Sequence, residues 1–250
     1  MSKSNIYTEL FSTKTIIVEE CPLSGNKPYH LCFNKTLSSP SLFDNISLLI
    51  EHSIKFKHLE FDKICATSMS ALPYATNVAT SFEKGILYIN NQNHSGNDNG
   101  NDNLNIKNIK IEGGMEIDDK IILIETVVSN EYLLNNIINK IRKYGGNIIG
   151  VILIMNLCEG EYITLSHQKE NIIPILNIYD VFNHLENNNL IEMYYCEKIK
   201  FYCENMTKVN IKKLLPKSKE EQVEIKQVEI KQVENCEGEG DCKKEPFVGQ

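Results

Sequence analysis

The sequence predicts a doubly wound α/β fold, in which helices cover both faces of a mostly parallel sheet. Two short and continuously apolar segments, Lys120–Glu125 and Asn147–Met155, support this prediction, because strands buried on both faces of a parallel sheet show no polar alternation. Between them lies an amphipathic segment, Glu131–Tyr144, which is followed by two glycines. A strand, a helix and a second strand in this order form a βαβ unit with parallel strands.

The segments before this unit continue the alternation of strands and helices. A helix is expected to start near Ala71, since Pro73 is tolerated in a first turn, and Gly85 is its expected C-terminal stop. The other expected elements are strands at Thr15–Val18, Lys63–Ala66 and Ile86–Ile89 and a helix at Leu42–Ile54.

In doubly wound sheets, ligands bind beyond the carboxyl ends of the strands. Three loops follow predicted strands in this way, at Ala66–Ser70, Glu125–Glu131 and Met155–Gly160. We therefore expect a binding site, if the protein has one, to be built from these three loops.

Composition narrows the class of protein further. The chain has 250 residues and a formal net charge of -7, and no cluster of basic residues forms a stripe, which argues against a nucleic-acid partner. No apolar run approaches the ~20 residues of a membrane span, and the N-terminus lacks the apolar core of a signal peptide. Eight cysteines without a Cys-x-x-Cys pair give no metal or redox motif. We expect a cytoplasmic protein with no metal site and no membrane partner.

Two segments have the composition of disordered chain. Residues 90–108 consist almost entirely of Asn, Gly, Asp and Ser and bury too little apolar area to offset the entropy of ordering. Residues 207–250 contain a repeat of Gln-Val-Glu-Ile-Lys, whose period of five matches neither helix nor strand. The sequence thus predicts a domain over residues 1–206 with an inserted loop, followed by a mostly disordered tail.

Several segments, read in order, resemble the orotate phosphoribosyltransferase family, and in particular the N-terminal half of animal bifunctional UMP synthase. The resemblance implies a type I phosphoribosyltransferase-like fold with a small N-terminal hood, and it extends over roughly residues 6–206. The segments that carry it are Phe61–Thr76, Ile111–Asp119, Ile121–Leu134, Ile152–Gly160 and Ile178–Asn205.

The resemblance assigns roles to the three loops. It implies a loop for phosphoribosyl diphosphate (PRPP), in which an acidic pair bonds the ribose hydroxyls and a small-residue turn cradles the 5′-phosphate. Asn156 takes the place of the family's orotate-contacting arginine. The PRPP-loop equivalents are Glu125, Thr126, Val127, Val128, Ser129, Asn130 and Glu131, and the pyrophosphate-loop equivalents are Ala66, Thr67, Ser68, Met69 and Ser70.

The sequence departs from this family pattern at charged and phosphate-binding positions. Thr126 replaces the second acid, and Glu131 replaces the turn's glycine, although an acid in a first helical turn is also an ordinary stabilising residue. The insert at 90–108 has no lysine or arginine before Lys107, where the family's mobile loop is rich in both, and Asn156 cannot neutralise a carboxylate. Near the N-terminus, residues Glu19–Pro22 stand where the family pattern has another lysine.

These departures lead to three functional hypotheses, of which the first is preferred and the other two are alternatives. The first is a catalytically impaired homologue, a pseudoenzyme without catalytic residues, which acts as a binding or regulatory partner, as a homodimer or as a heterodimer with an active homologue. The second is an active enzyme that makes orotidine 5′-monophosphate from orotate and PRPP, with Mg²⁺ needed only if PRPP binds. The third is an interaction scaffold that uses the C-terminal tail.

Overall fold

The computed structural model describes residues 3–18, 28–91, 109–128, 131–157, 171–199 and 201–202. The first two residues of the predicted insert, Asn90 and Asn91, belong to a strand and pair with Lys110 and Ile109, so its predicted start is wrong. The rest of the insert and the whole predicted tail lie outside the described residues, so the prediction of their disorder stays a prediction. The helices are α1 (Lys3–Ser12), α2 (Pro40–Phe56), α3 (Leu72–Ser81), α4 (Glu131–Lys143) and α5 (Ile178–Asn187), with a 3-10 helix at Phe33–Ser38. The strands are β1 (Ile16–Val18), β2 (Tyr29–Leu31), β3 (Lys63–Ala66), β4 (Gly85–Asn91), β5 (Ile109–Glu112), β6 (Lys120–Glu125), β7 (Asn147–Asn156) and β8 (Ile172–Asn177).

Six of these strands form the central sheet, in the order β5-β4-β3-β6-β7-β8. Every neighbouring pair is parallel except β4 and β5, which are antiparallel. Strands β1 and β2 form a separate antiparallel pair before α2. The prediction of a doubly wound, mostly parallel α/β sheet is therefore confirmed.

The sheet separates two apolar cores, and β6 contributes alternate residues to each. Ile122 and Ile124 face the core that holds the buried sides of α1, α2, α3 and α5. Ile121 and Leu123 face the second core, which α4 covers with Leu134, Ile137, Ile138 and Ile141. Because both faces are covered, β6 is apolar at successive positions, as a buried parallel strand requires.

The end of α3 differs from the prediction. The helix ends at Ser81, and Glu83 adopts the left-handed conformation with φ of 54°. Backbone N–H groups of Glu83 and Lys84 donate to carbonyls of the last helical turn, which offsets the strain of a side chain in that conformation. Gly85 was wrongly assigned as the helix stop, because it is instead the first residue of β4.

Helix α1, strands β2 and β8 and the 3-10 helix Phe33–Ser38 have no counterpart in the sequence-based prediction. Helix α1 buries Ile6, Tyr7 and Leu10 against the first core. Strand β8 contains Pro174, which has no N–H to donate, but β8 is an edge strand of the sheet, where proline is tolerated. Among the described residues, none of the helices is long and apolar enough to cross a membrane.

The order of the strands creates a crevice between β3 and β6. Strand β3 continues through α3 to β4 on one side, whereas β6 continues through α4 to β7 on the other. The chain therefore leaves the carboxyl ends of β3 and β6 in opposite directions, which is the topological switch point where such sheets bind ligands.

Candidate functional site

Two of the three predicted loops meet at the carboxyl ends of β3 and β6. The hydroxyl of Thr67 donates a hydrogen bond to Glu125 Oε2 at 2.7 Å. The hydroxyl of Ser68 donates to Glu125 Oε1 at 2.6 Å. The last residue of β6 is thus held by the two residues that follow β3, more than fifty positions away in the sequence.

Thr126 completes the hydrogen bonding of the Glu125 carboxylate. Its backbone N–H donates to Oε1 at 2.7 Å, and its hydroxyl lies 3.1 Å from the same oxygen. The hydroxyl of Ser70 lies 2.9 Å from Thr126 Oγ1 and 3.1 Å from Ser68 Oγ. Three of these four donors lie on Oε1 and one lies on Oε2, so the lone-pair sites of the two oxygens are not used evenly.

Continuation of the sheet's hydrogen bonds positions both loops. The N–H of Thr67 donates to the carbonyl of Ile124, and the carbonyl of Thr126 accepts from the N–H of Met155. Thr67 and Thr126 are each 5% exposed, so their hydroxyls need partners inside the protein. The partly buried Glu125 carboxylate supplies an acceptor to both.

No cation balances this carboxylate among the described residues, since none of their ion pairs includes Glu125. In the sequence, lysine and arginine are also absent from the residues that directly follow the carboxyl ends of β3, β4, β6, β7 and β8, although Lys107 and Lys169 stand later in the β4–β5 and β7–β8 connections. The stretches without either residue are 64–83, 85–106, 121–139, 144–168 and 170–197. Among the described residues, the lysines at this end of the sheet include Lys110, which stands opposite Asn90 of β4 and pairs with Glu112, and Lys140, whose ammonium donates to the carbonyl of Ile109.

The remaining predicted site residues do not join this hydroxyl cluster. Ala66 is buried at the end of β3, whereas Met69 is 71% exposed on the loop. Val127 packs against the first core and Val128 against the second. Both valines therefore anchor the chain as it leaves the sheet.

Asn156 and the start of α4 lie at the same edge of the sheet. Asn156 is the last residue of β7, is 2% exposed and stands opposite Asn177 of β8 in the strand register. Ser129 and Asn130 lie outside the described residues. Glu131 is the first residue of α4, but its side chain is also outside them, so its predicted place beside a phosphate stays a prediction.

Two other kinds of site are considered at this edge, a cysteine nucleophile and a metal ion. Cys65 precedes Ala66 in β3, and burial raises the pKa of its thiol to about 12, so it is not a thiolate nucleophile at neutral pH. The described residues contain no group of three His, Cys, Asp or Glu side chains that could hold a metal. Mg²⁺ binds through one or two carboxylates together with substrate phosphates, so the expectation that Mg²⁺ is needed only if PRPP binds stays a prediction.

The sequence identified the members of this cluster but missed how they pair. Glu125 was expected to face ligand hydroxyls, and Thr67 and Ser68 were expected to face pyrophosphate. In the structure they bond one another. The sequence feature that could have indicated this pairing is the group of three hydroxyl residues, Thr67, Ser68 and Ser70, after one strand, together with the single acid Glu125 at the end of another.

Comparison with known proteins relates the chain to one group of enzymes. No protein-family model matches the sequence. The chain is 26% identical over 157 residues to the orotate phosphoribosyltransferase of Methanosphaera stadtmanae, covering 63% of this chain and 82% of the relative. It is 20% identical over 177 residues to that of Pyrococcus furiosus, covering 68% and 92%.

Solved structures share the fold at lower identity. The UMP synthase of Leishmania donovani gives a TM-score of 0.65 at 14% identity over 82% of this chain, which spans 43% of that protein's length. The orotate phosphoribosyltransferase of Aeropyrum pernix gives 0.59 at 12% identity, covering 75% of this chain and 99% of that one. The Mycobacterium tuberculosis orotate phosphoribosyltransferase in complex with PRPP gives 0.54 at 12%, covering 72% and 98%. These likenesses independently support the type I phosphoribosyltransferase architecture.

Proposed function

We propose that this chain, which belongs to the orotate phosphoribosyltransferase family, is a catalytically impaired member that serves pyrimidine biosynthesis as a binding or regulatory partner. One observation carries the proposal, namely that no described lysine or arginine pairs with Glu125 and that none directly follows the carboxyl ends of β3, β4, β6, β7 and β8. The relatives are named for transfer of a phosphoribosyl group, and that chemistry handles several negative charges at this edge.

The charge of PRPP is the first obstacle to catalysis. Each phosphate group held about 4 Å from Glu125 without a cation is opposed by about 4 kcal/mol at an effective dielectric near 20, which corresponds to roughly a thousandfold in affinity. A leaving diphosphate also develops charge in the transition state, and enzymes stabilise such charge with positioned cations and N–H donors. Among the described residues, no cation pairs with Glu125.

The neutral side chains of Thr126 and Asn156 do not replace the acid and the arginine that the resemblance places at these two positions. Thr126 stands where the resemblance places a second acid, but its hydroxyl is already bonded to Glu125 and lies beside Ser70. Asn156 offers an amide where the resemblance places an arginine, and an amide neither neutralises an orotate carboxylate nor forms the bidentate fork. Ribose recognition and base recognition are therefore both weakened.

A direct assay tests the catalytic half of the proposal. The purified full chain should form no orotidine 5′-monophosphate above a blank from orotate and PRPP, with or without Mg²⁺. The Methanosphaera stadtmanae enzyme, assayed in parallel, is the positive control. Turnover within about a hundredfold of that enzyme would establish the alternative, an active orotate phosphoribosyltransferase.

A variant of Glu131 tests whether the turn before α4 is a degraded phosphate cradle. Glu131→Gly removes a negative charge and a β-carbon at the start of the helix, where free N–H groups favour an anion. It should give measurable stabilisation by millimolar PRPP or nucleoside monophosphate, without restoring turnover. Glu131→Gln is the matched control, because it removes the charge alone. If neither variant responds to ligand, residues 125–131 do not form such a cradle.

The regulatory half of the proposal needs a different measurement. The chain would be mixed with an active homologue from the same cell, and light scattering after size exclusion would report homodimers and heterodimers. A mixed dimer with an altered rate of orotidine 5′-monophosphate formation supports the partner role. If the two chains stay separate and the rate is unchanged, that role is wrong, whereas the catalytic impairment is judged by the assay above.

A further inference from the structure

We infer that the helical segment after α5 is an interaction surface, on which the same segment of a second copy of this chain binds in antiparallel orientation. Residues 193–199 and 201–202 are helical. Their solvent-facing side carries Met193, Tyr194 and Phe201, which are called the exposed stripe below. The inference rests on the partner role in the proposed function and deepens it, because it names the partner and the surface that binds it.

The opposite side of this helical segment is fixed to the domain. Cys196 and Ile199 are both buried, and Ile199 belongs to the first core. Tyr202 packs against that core as well, and its ring lies perpendicular to the ring of Tyr29 with 6.1 Å between the centroids. Helical residues three apart lie on the same side of a helix. Positions 196, 199 and 202 therefore hold the helix in one orientation and direct the exposed stripe to solvent.

The exposed stripe is apolar although it faces solvent. Met193, Tyr194 and Phe201 are 74%, 54% and 69% exposed, and the first and last of them are separated by about 12 Å along the helix. Single apolar side chains on a surface are ordinary, whereas aromatic and methionine side chains gathered on one face are typical of protein interfaces. The stripe therefore has the composition and the length of a helix-docking surface.

The size of the exposed stripe sets the strength of the expected contact. A fully covered aromatic side chain buries about 150 to 250 Å², so the stripes of two copies together offer less than the roughly 1,200 Å² of a stable interface. We therefore expect a weak association that depends on protein concentration.

Charge next to the exposed stripe selects a second copy as the partner. Glu197 and Lys198 lie midway between Tyr194 and Phe201 in the sequence. Glu197 is exposed, and Lys198 Nζ lies 4.4 Å from the centroid of the Tyr194 ring, so both charges border the stripe.

A two-fold contact uses the same residue pair twice. When two copies of the helix lie antiparallel about this midpoint, Tyr194 faces Phe201 of the second copy and Glu197 faces its Lys198. In a parallel arrangement each glutamate would instead face the other glutamate, and like charges across an interface are rejected. The order of charges therefore favours self-association in the antiparallel orientation.

Sedimentation velocity of the full chain with two charge variants tests the inference. The mass of the unmodified chain should rise between micromolar and near-millimolar concentration. Glu197→Lys and Lys198→Glu each give both copies like charges at the contact, and each should weaken self-association at least about tenfold. An equimolar mixture of the two variants should associate again, because one contributes two positive charges and the other two negative charges.

Two further variants separate the exposed stripe from general effects. Phe201→Ser removes an apolar side chain without a change of charge and should also weaken self-association. Lys57→Glu is the control, because it makes the same change in net charge as Lys198→Glu at an exposed residue after α2, and it should leave self-association unchanged.

Three results would overturn the inference. They are an unmodified chain whose mass does not rise with concentration, charge variants that associate as the unmodified chain does, and a mixture that associates no better than its components. The last two would assign the exposed stripe to a different partner. Formation of orotidine 5′-monophosphate contradicts the proposed function and leaves this contact untouched, so the two failures are distinguishable.

Discussion

Restoring the second acid by Thr126→Asp should destabilise this protein severely. Thr126 Oγ1 lies 3.1 Å from Glu125 Oε1, and Thr126 is 5% exposed, so an introduced carboxylate meets the first with little water between them. Two unit charges at that distance repel by about 5 kcal/mol at an effective dielectric near 20. Natural proteins unfold at a total cost of about 5 to 15 kcal/mol, so this single repulsion removes a large share of the stability.

Urea denaturation of Thr126→Asp and Thr126→Asn isolates the charge, because the two side chains have nearly the same shape. At about pH 7, the Asp variant should be less stable than the Asn variant by about 3 to 5 kcal/mol. The repulsion raises the folded-state pKa of the introduced carboxyl above its unfolded value. The difference is therefore small near pH 4 and grows as the pH rises through the raised pKa. Equal stabilities at neutral pH would refute the contact between Thr126 and Glu125.

Three further predictions concern stability. Burial raises the pKa of Tyr74 to about 12, above the unfolded value of about 10. The contribution of the protonated Tyr74 to the free energy of unfolding is therefore complete below about pH 10 and is lost as the pH rises towards 12. Tyr74→Phe should show a flatter alkaline profile of unfolding free energy. Gly146→Ala places a β-carbon 2.7 and 2.8 Å from two isoleucine side chains and should cost about 1 to 3 kcal/mol in urea, whereas Gly114→Ala, with open space around it, should cost far less. Replacing residues 92–108 by a short Gly/Ser turn should leave the melting temperature within a few degrees, because β4 and β5 already pair in antiparallel register at that end and loop closure entropy depends weakly on length; a drop of about ten degrees would show that the segment packs.

The proposed function follows from the distribution of charge around Glu125. Among the described residues no cation pairs with Glu125, which is instead bonded to Thr67 and Ser68. An acid at position 126 would add a second negative charge beside it. Thr126 instead donates to Glu125, which accords with the proposed impairment of PRPP binding.

Local periodicity allowed much of the fold to be predicted. Continuous apolar runs identified β6 and β7, because strands covered on both faces cannot alternate with polar residues. Helix α4 was recognisable from the apolar spacing on its buried face. Strand β8 was missed, since Pro174 is normally evidence against a strand and its tolerance depends on an edge position that only the sheet order defines.

What the sequence determined by itself is that no lysine or arginine directly follows the ends of β3 and β6, since the stretches 64–83 and 121–139 lack both residues in any conformation. Only the tertiary structure decided what Glu125 contacts. Its partners Thr67 and Ser68 are 58 and 57 positions away, and they reach it because β3 and β6 are neighbours although β4 and β5 lie between them in sequence. Strand order depends on how helices pack on both faces of the sheet. That packing is a property of the whole chain, and no local pattern records it.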